Sequence, residues 1–161
     1  MAMKSALIPV FLLPVALAVA CSDDDNNGPQ PTVFNVPLAT QNETPMCPDA
    51  GVSASGNATV TVAADNSSVT VAANYSGLSG PVTAGHIHFG NASAPGPVVL
   101  PFGPPLDSPF TKTLTSADYV PGASTPPDFP SFVTVLKTGD GGYVNLHTGP
   151  CPPGEIRGQV R

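Results

Sequence analysis

Apolar and polar residues alternate along this chain in short runs, and prolines or glycines close the runs. The clearest case is "SVTVAANYSGL" (Ser68 to Leu78). There Val69, Val71, Ala73 and Tyr75 fall on one face of an extended backbone, and Thr70 and Asn74 on the other. Period two in runs this short describes half-buried strands. The 21 prolines and 16 glycines supply turns between them. No amphipathic run of useful helical length remains.

Strands are therefore expected in "TVFNVPLAT" (Thr32 to Thr40), "NATVTVAA" (Asn57 to Ala64), Ser68 to Leu78 and "VTAGHIHFG" (Val82 to Gly90). More follow in "PGPVVLPFG" (Pro95 to Gly103), "FTKTLTSADY" (Phe110 to Tyr119), "GGYVNLHT" (Gly141 to Thr148) and "GEIRGQVR" (Gly154 to Arg161). "DNS" between the second and third runs is a hairpin signal, and Ser116 is a candidate cap for a helical turn. "SFVTVLKTGD" (Ser131 to Asp140) fits a strand or a short helix. The fold class is all-β, an antiparallel Greek-key β-sandwich or barrel.

The first 21 residues, "MAMKSALIPVFLLPVALAVAC", read differently. Lys4 precedes an apolar run, Ala6 to Ala20, too short to span a bilayer, with small residues Ala18 and Ala20 at its end. This predicts a signal peptide over 1–20. "AVAC" followed by "SDDDNNGPQPT" resembles the lipobox of bacterial lipoproteins, which implies that Cys21 carries lipid and anchors the chain to a membrane in the cell envelope. Residues 21–31 are then an acidic, flexible tether and 32–161 the folded domain. Export permits disulfides, and with Cys21 acylated only Cys47 and Cys151 remain to pair.

The chain carries a formal charge of −6, and after Lys4 its next basic residue is Lys112. That excludes an extended phosphate-binding surface, and with it nucleic acid as a partner. There is no G-x-S-x-G elbow and no phosphate loop. Five N-x-S/T sequons are read as chance in an Asn/Ser/Thr-rich chain.

Several motifs in one order carry a family likeness: "NETP" (Asn42 to Pro45), the valine hairpin, "SGLSGPVTAGHIHFG", "GPVVLPF", "YVNLHT" and "PGEIRGQV". Together they resemble the CHRD domain, named for chordin and widespread in bacterial secreted proteins. The resemblance covers about Thr32 to Arg161 and implies an extracellular β domain that binds a protein or other ligand; it implies no reaction. The two cysteines and the proline-rich stretch near Ser124 to Pro130 depart from the pattern.

The three histidines of the chain fall in two of these strands. His86 and His88 share one face of "GHIHF" against Ile87 and Phe89. His147 shares a face with Tyr143 and Asn145, against Val144 and Leu146. Glu155, Arg157 and Gln159 oppose Ile156 and Val160. With the apolar sides in the core, the polar sides point outward, where Glu155 and Arg157 are candidates for an exposed ion pair. An H-x-H pair with a third histidine on a neighbouring strand suits copper or zinc, with Asn145 and Glu155 as candidates to orient the rings. Cu/Zn superoxide dismutase uses a similar H-x-H on a similar sandwich, but its copper site takes a fourth histidine, which this chain lacks.

Overall fold

The computed structural model describes residues 28–161. The expected signal peptide, Cys21 and most of the tether lie outside the described residues. Eight strands follow in order: β1 (Thr32–Ala39), β2 (Ser55–Val62), β3 (Val69–Ser76), β4 (Val82–Phe89), β5 (Val98–Pro101), β6 (Phe110–Leu114), β7 (Gly142–Thr148) and β8 (Ile156–Gln159). Among the described residues one α-helix, α1 (Phe129–Leu136), stands between β6 and β7, and a short 3-10 turn (Thr40–Asn42) follows β1.

All pairings are antiparallel, in the order β5-β4-β7-β8-β1-β2-β3-β6. The Val120 amide donates to the Val99 carbonyl at 2.9 Å and draws the segment after β6 against β5. The sheet thereby curls into a nearly closed barrel. Its inner side takes the alternate apolar residues: Val36 and Leu38 of β1, Val60 and Val62 of β2, Val69 and Val71 of β3, Ile87, Val144, Leu146 and Ile156. Removing these side chains from water is the main force holding the barrel closed.

The segment that fitted either a strand or a helix is helical. Asp128 caps α1, its carboxylate accepting from the Ser131 amide at 2.9 Å, and Pro130 sits in the first turn. Phe129, Phe132, Val133 and Leu136 are buried, the i, i+3, i+4, i+7 stripe of a helix lying on a core. The turn after β6 is closed by Asp118, which accepts from the Thr115 amide at 2.8 Å, and not by Ser116. Cys47 and Cys151 form a disulfide across 104 residues. It ties the loop after β1 to the β7–β8 turn.

Candidate metal centre

Strand order decides whether the histidines meet, and β4 lies beside β7. In register, His86 faces Asn145, His88 faces Tyr143, and Ala84 faces His147. Side chains of alternate residues on adjacent strands point to one side of the sheet. His86, His88 and His147 therefore converge, and one ring nitrogen from each lies within 4.8 Å of the others. His86 Nδ1 and His147 Nε2 are 3.2 Å apart. Two ligands on a tetrahedral ion with bonds of roughly 2.0–2.1 Å sit about 3.3–3.4 Å apart, so this pair is already at ligand spacing. The widest pair must close inward by rotation of the rings.

Backbone carbonyls set the protonation of two rings. His88 Nδ1 is 2.8 Å from the Gly96 carbonyl and His147 Nδ1 is 2.9 Å from the Pro152 carbonyl. A carbonyl only accepts, so each Nδ1 carries the hydrogen and each Nε2 presents a bare lone pair to the cluster. His88 Nε2 is buried without a hydrogen-bond partner. Burial, first of all, lowers the pKa of His86 to about 4, with the neighbouring His147 and His88 adding to the effect. Burial likewise lowers His88 and His147, against the opposing pull of their carbonyl partners. All three rings are neutral at pH 7, the form that ligates metal.

The polar sides do point out of the barrel, but that outer face is not the solvated surface expected of it. His88 and His147 are each only 8% exposed, Asn145 3% and Arg157 2%. Two loops cover the layer. The 90–97 loop bends back at Gly96, where a Cβ would run into the Phe89 carbonyl oxygen, so only glycine fits. Its amide donates to the Tyr143 hydroxyl at 2.8 Å. Tyr143 stacks on His88 with centroids 4.8 Å apart, and the Arg157 guanidinium carbon lies 3.4 Å from the Tyr143 centroid. Arg157 Nη2 donates to the carbonyls of Asn91 at 2.6 Å and Ala94 at 3.3 Å, so it pins this loop and makes no exposed pair with Glu155.

The second loop brings Glu43 over β7. Asn145 Nδ2 donates to Glu43 Oε2 at 3.4 Å, while Glu43 Oε1 and Asn145 Oδ1 are buried and unpartnered. Burial raises the Glu43 pKa to about 7, and Arg157 and Asn145 counter it in part. Among the described residues, neither Asn145 nor Glu155 bonds to an imidazole. Glu155 accepts from the amides of Gly51 at 2.9 Å and Ser79 at 2.6 Å, and from the hydroxyls of Ser79 and Thr148. Burial pushes its pKa up, but these four donors outweigh it and hold the carboxyl below its ordinary value. Its role is to fasten two loops to β7. The groups that orient the rings are the carbonyls of Gly96 and Pro152, which no side-chain pattern announces. Glu43 stands in the "NETP" motif, Tyr143 in "YVNLHT" and Arg157 in "GEIRGQ", so those three had a signal.

His86, the least buried of the three histidines, borders a cleft of about 190 Å³ shared with Thr83, Pro101 and Pro104. The model of the CHRD domain matches residues 34–160. Comparison with curated proteins finds no match, and neither does comparison with solved structures.

Proposed function

The chain belongs to the CHRD domain family, and from that premise we propose that it is the binding domain of an exported, lipid-anchored protein that holds one copper or zinc ion through His86, His88 and His147. The observation that carries this is the pair of carbonyl-fixed rings. Gly96 and Pro152 turn both Nε2 lone pairs toward one place, and His88 Nε2 has no other partner there. A buried nitrogen left unpaired costs about 1–3 kcal/mol; a metal bond removes that cost. Neutral rings give up no charge on binding. His86 Nδ1 donates to the bare His147 Nε2 in the free protein; to serve as the third ligand it would lose that hydrogen to solvent while Nε2 of the same ring took one up.

Three nitrogen donors leave a coordination position open, as catalytic and transport sites do. The cleft beside His86 supplies a route to it. The chain's own residues here bind and orient; the reading is of a binding domain rather than an enzyme. The Cys47–Cys151 disulfide is compatible with a place outside the cytoplasm. The anchor rests on the lipobox resemblance at Cys21, and mass spectrometry of the mature amino terminus tests it: an unmodified Cys21 refutes it. For the metal, calorimetric titration of metal-free protein with Cu(II) and Zn(II) is expected to show one site per chain. His88→Ala is expected to lose that site with far-UV circular dichroism unchanged. Unchanged metal affinity in this variant would reject the assignment.

A further inference from the structure

A second cavity, of about 410 Å³, opens on the same outer sheet face, over β1 and β8 rather than β4 and β7. Its chemistry is unlike the rest of the molecule. After Lys4 the chain has four basic residues, Lys112, Lys137, Arg157 and Arg161, against a formal charge of −6 for the whole. Two of those four, Arg157 and Arg161, line this cavity, and no acidic side chain does. The polar remainder is mostly amide: Asn35, Gln41, Asn42 and Gln159.

We propose that this cavity binds a small hydroxylated carboxylate, of the size and chemistry of a sugar acid. The volume falls within the range of small-molecule sites, roughly 300–1,000 Å³. Arg157 is held before any ligand arrives, by the Asn91 and Ala94 carbonyls and the Tyr143 ring. Its charge therefore stands in the wall without an ordering cost. Because it is almost wholly buried, it acts through a poorly screened field. Exposed Arg161 makes the direct bond to the carboxylate. Glu43 is the carboxyl that faces Arg157, and its raised pKa of about 7 leaves it about half neutral near pH 7, so it offsets only part of the positive charge in the wall. Amide groups, each both donor and acceptor, match ligand hydroxyls. The Asn42 side chain is already fixed, its Nδ2 donating to the Arg157 carbonyl at 2.9 Å.

The test is an NMR titration of the full chain with metal removed by chelator, so that its outcome does not depend on the histidine site. The probes are glucuronate, glucose and inorganic phosphate. Glucuronate is expected to shift the Gln41, Asn42 and Gln159 amides saturably and to bind at least ~10-fold tighter than glucose, a difference of about 1.4 kcal/mol. Arg161→Gln is expected to weaken glucuronate about fivefold or more. Lys112→Gln, the same charge change on β6, is expected to leave it alone. No saturable shift, or equal binding by the Arg161→Gln variant, overturns the proposal. Phosphate binding as tight as glucuronate overturns it too, by reducing the site to a simple anion hole.

Discussion

Glu43→Gln is expected to make the protein more stable at pH 8 and to change little at pH 4.5. Two buried acceptors, Glu43 Oε1 and Asn145 Oδ1, lack a donor. Both crowd one place: a Cβ on Gly154 would stand 2.6 Å from the first and 2.7 Å from the second. One proton on Glu43 supplies a donor there, and so does the amide of glutamine. Burial raises the Glu43 pKa from 4.5 to about 7, with Arg157 and Asn145 pulling the other way. A carboxyl whose pKa is raised on folding contributes stability that is fully present below the unfolded value. That contribution is lost as pH rises through the folded value. The loss therefore falls between about pH 4.5 and 7. Each pKa unit is worth about 1.4 kcal/mol, so the rise from 4.5 to about 7 sets a ceiling of roughly 3.5 kcal/mol, with the attraction to Arg157 already counted in it; about 2 kcal/mol or more is expected, since a glutamine amide replaces the hydrogen bonds of a neutral carboxyl imperfectly. His86 works in the opposite direction. Its pKa of about 4 gives stability present above 6.5 and lost as pH falls toward 4. That slope is common to both proteins and cancels in their difference. The assay is urea unfolding of parent and variant from pH 4 to 8. A difference that stays flat with pH, or a variant less stable than the parent at pH 8, would refute the reasoning.

Cys47→Ser removes a link between residues 104 apart and is expected to cost about 2–5 kcal/mol, read from denaturant midpoints under non-reducing conditions. Gly154→Ala places a Cβ 2.5 Å from Asn145 Nδ2 at a φ of +136°; a loss of roughly 2 kcal/mol or more is expected, and an unchanged melting temperature would contradict the packing described. Asp128→Ala removes the cap of α1 and is expected to cost about 1 kcal/mol while leaving metal titration unchanged, because α1 contributes no residue to the histidine site.

Alternation made the strands and their faces legible, because side-chain period is a local property of extended backbone. Period two alone puts His86 with His88, and His147 with Asn145. Their meeting was not legible, because β4 and β7 are separated by β5, β6 and α1 in sequence and only the sheet order makes them neighbours. α1 was ambiguous for a different reason. Its "VTV" core is β-branched, and the decision falls to the Asp128 cap and to burial of Phe129, Phe132, Val133 and Leu136. The error about exposure came from treating the outer face of a barrel as surface. Alternation tells which side a residue takes, not what loop lies over that side. Here the covering segments are rich in small residues and carry no hydrophobic signal of their own.

That covered face is where the fold departs from ordinary economy. Among the described residues, the buried side-chain atoms without a partner belong to Thr40, Glu43, His88, Asn145 and Gln159. Four of those five stand in the one polar layer over β7 and β8, and Thr40 opens the turn that leads to Glu43. Unsatisfied polar atoms are scarce in folded proteins and each is destabilising. Scattered singly, they would call for separate explanations. Gathered on one face, beside three neutral imidazoles and a preset arginine, they are the feature on which the proposed binding role rests. Each such atom, where it stays unpaired, costs about 1–3 kcal/mol. On the proposed reading, a bound ion or ligand would recover part of that cost, along the same face that carries the histidines at one end and the arginine-lined cavity at the other.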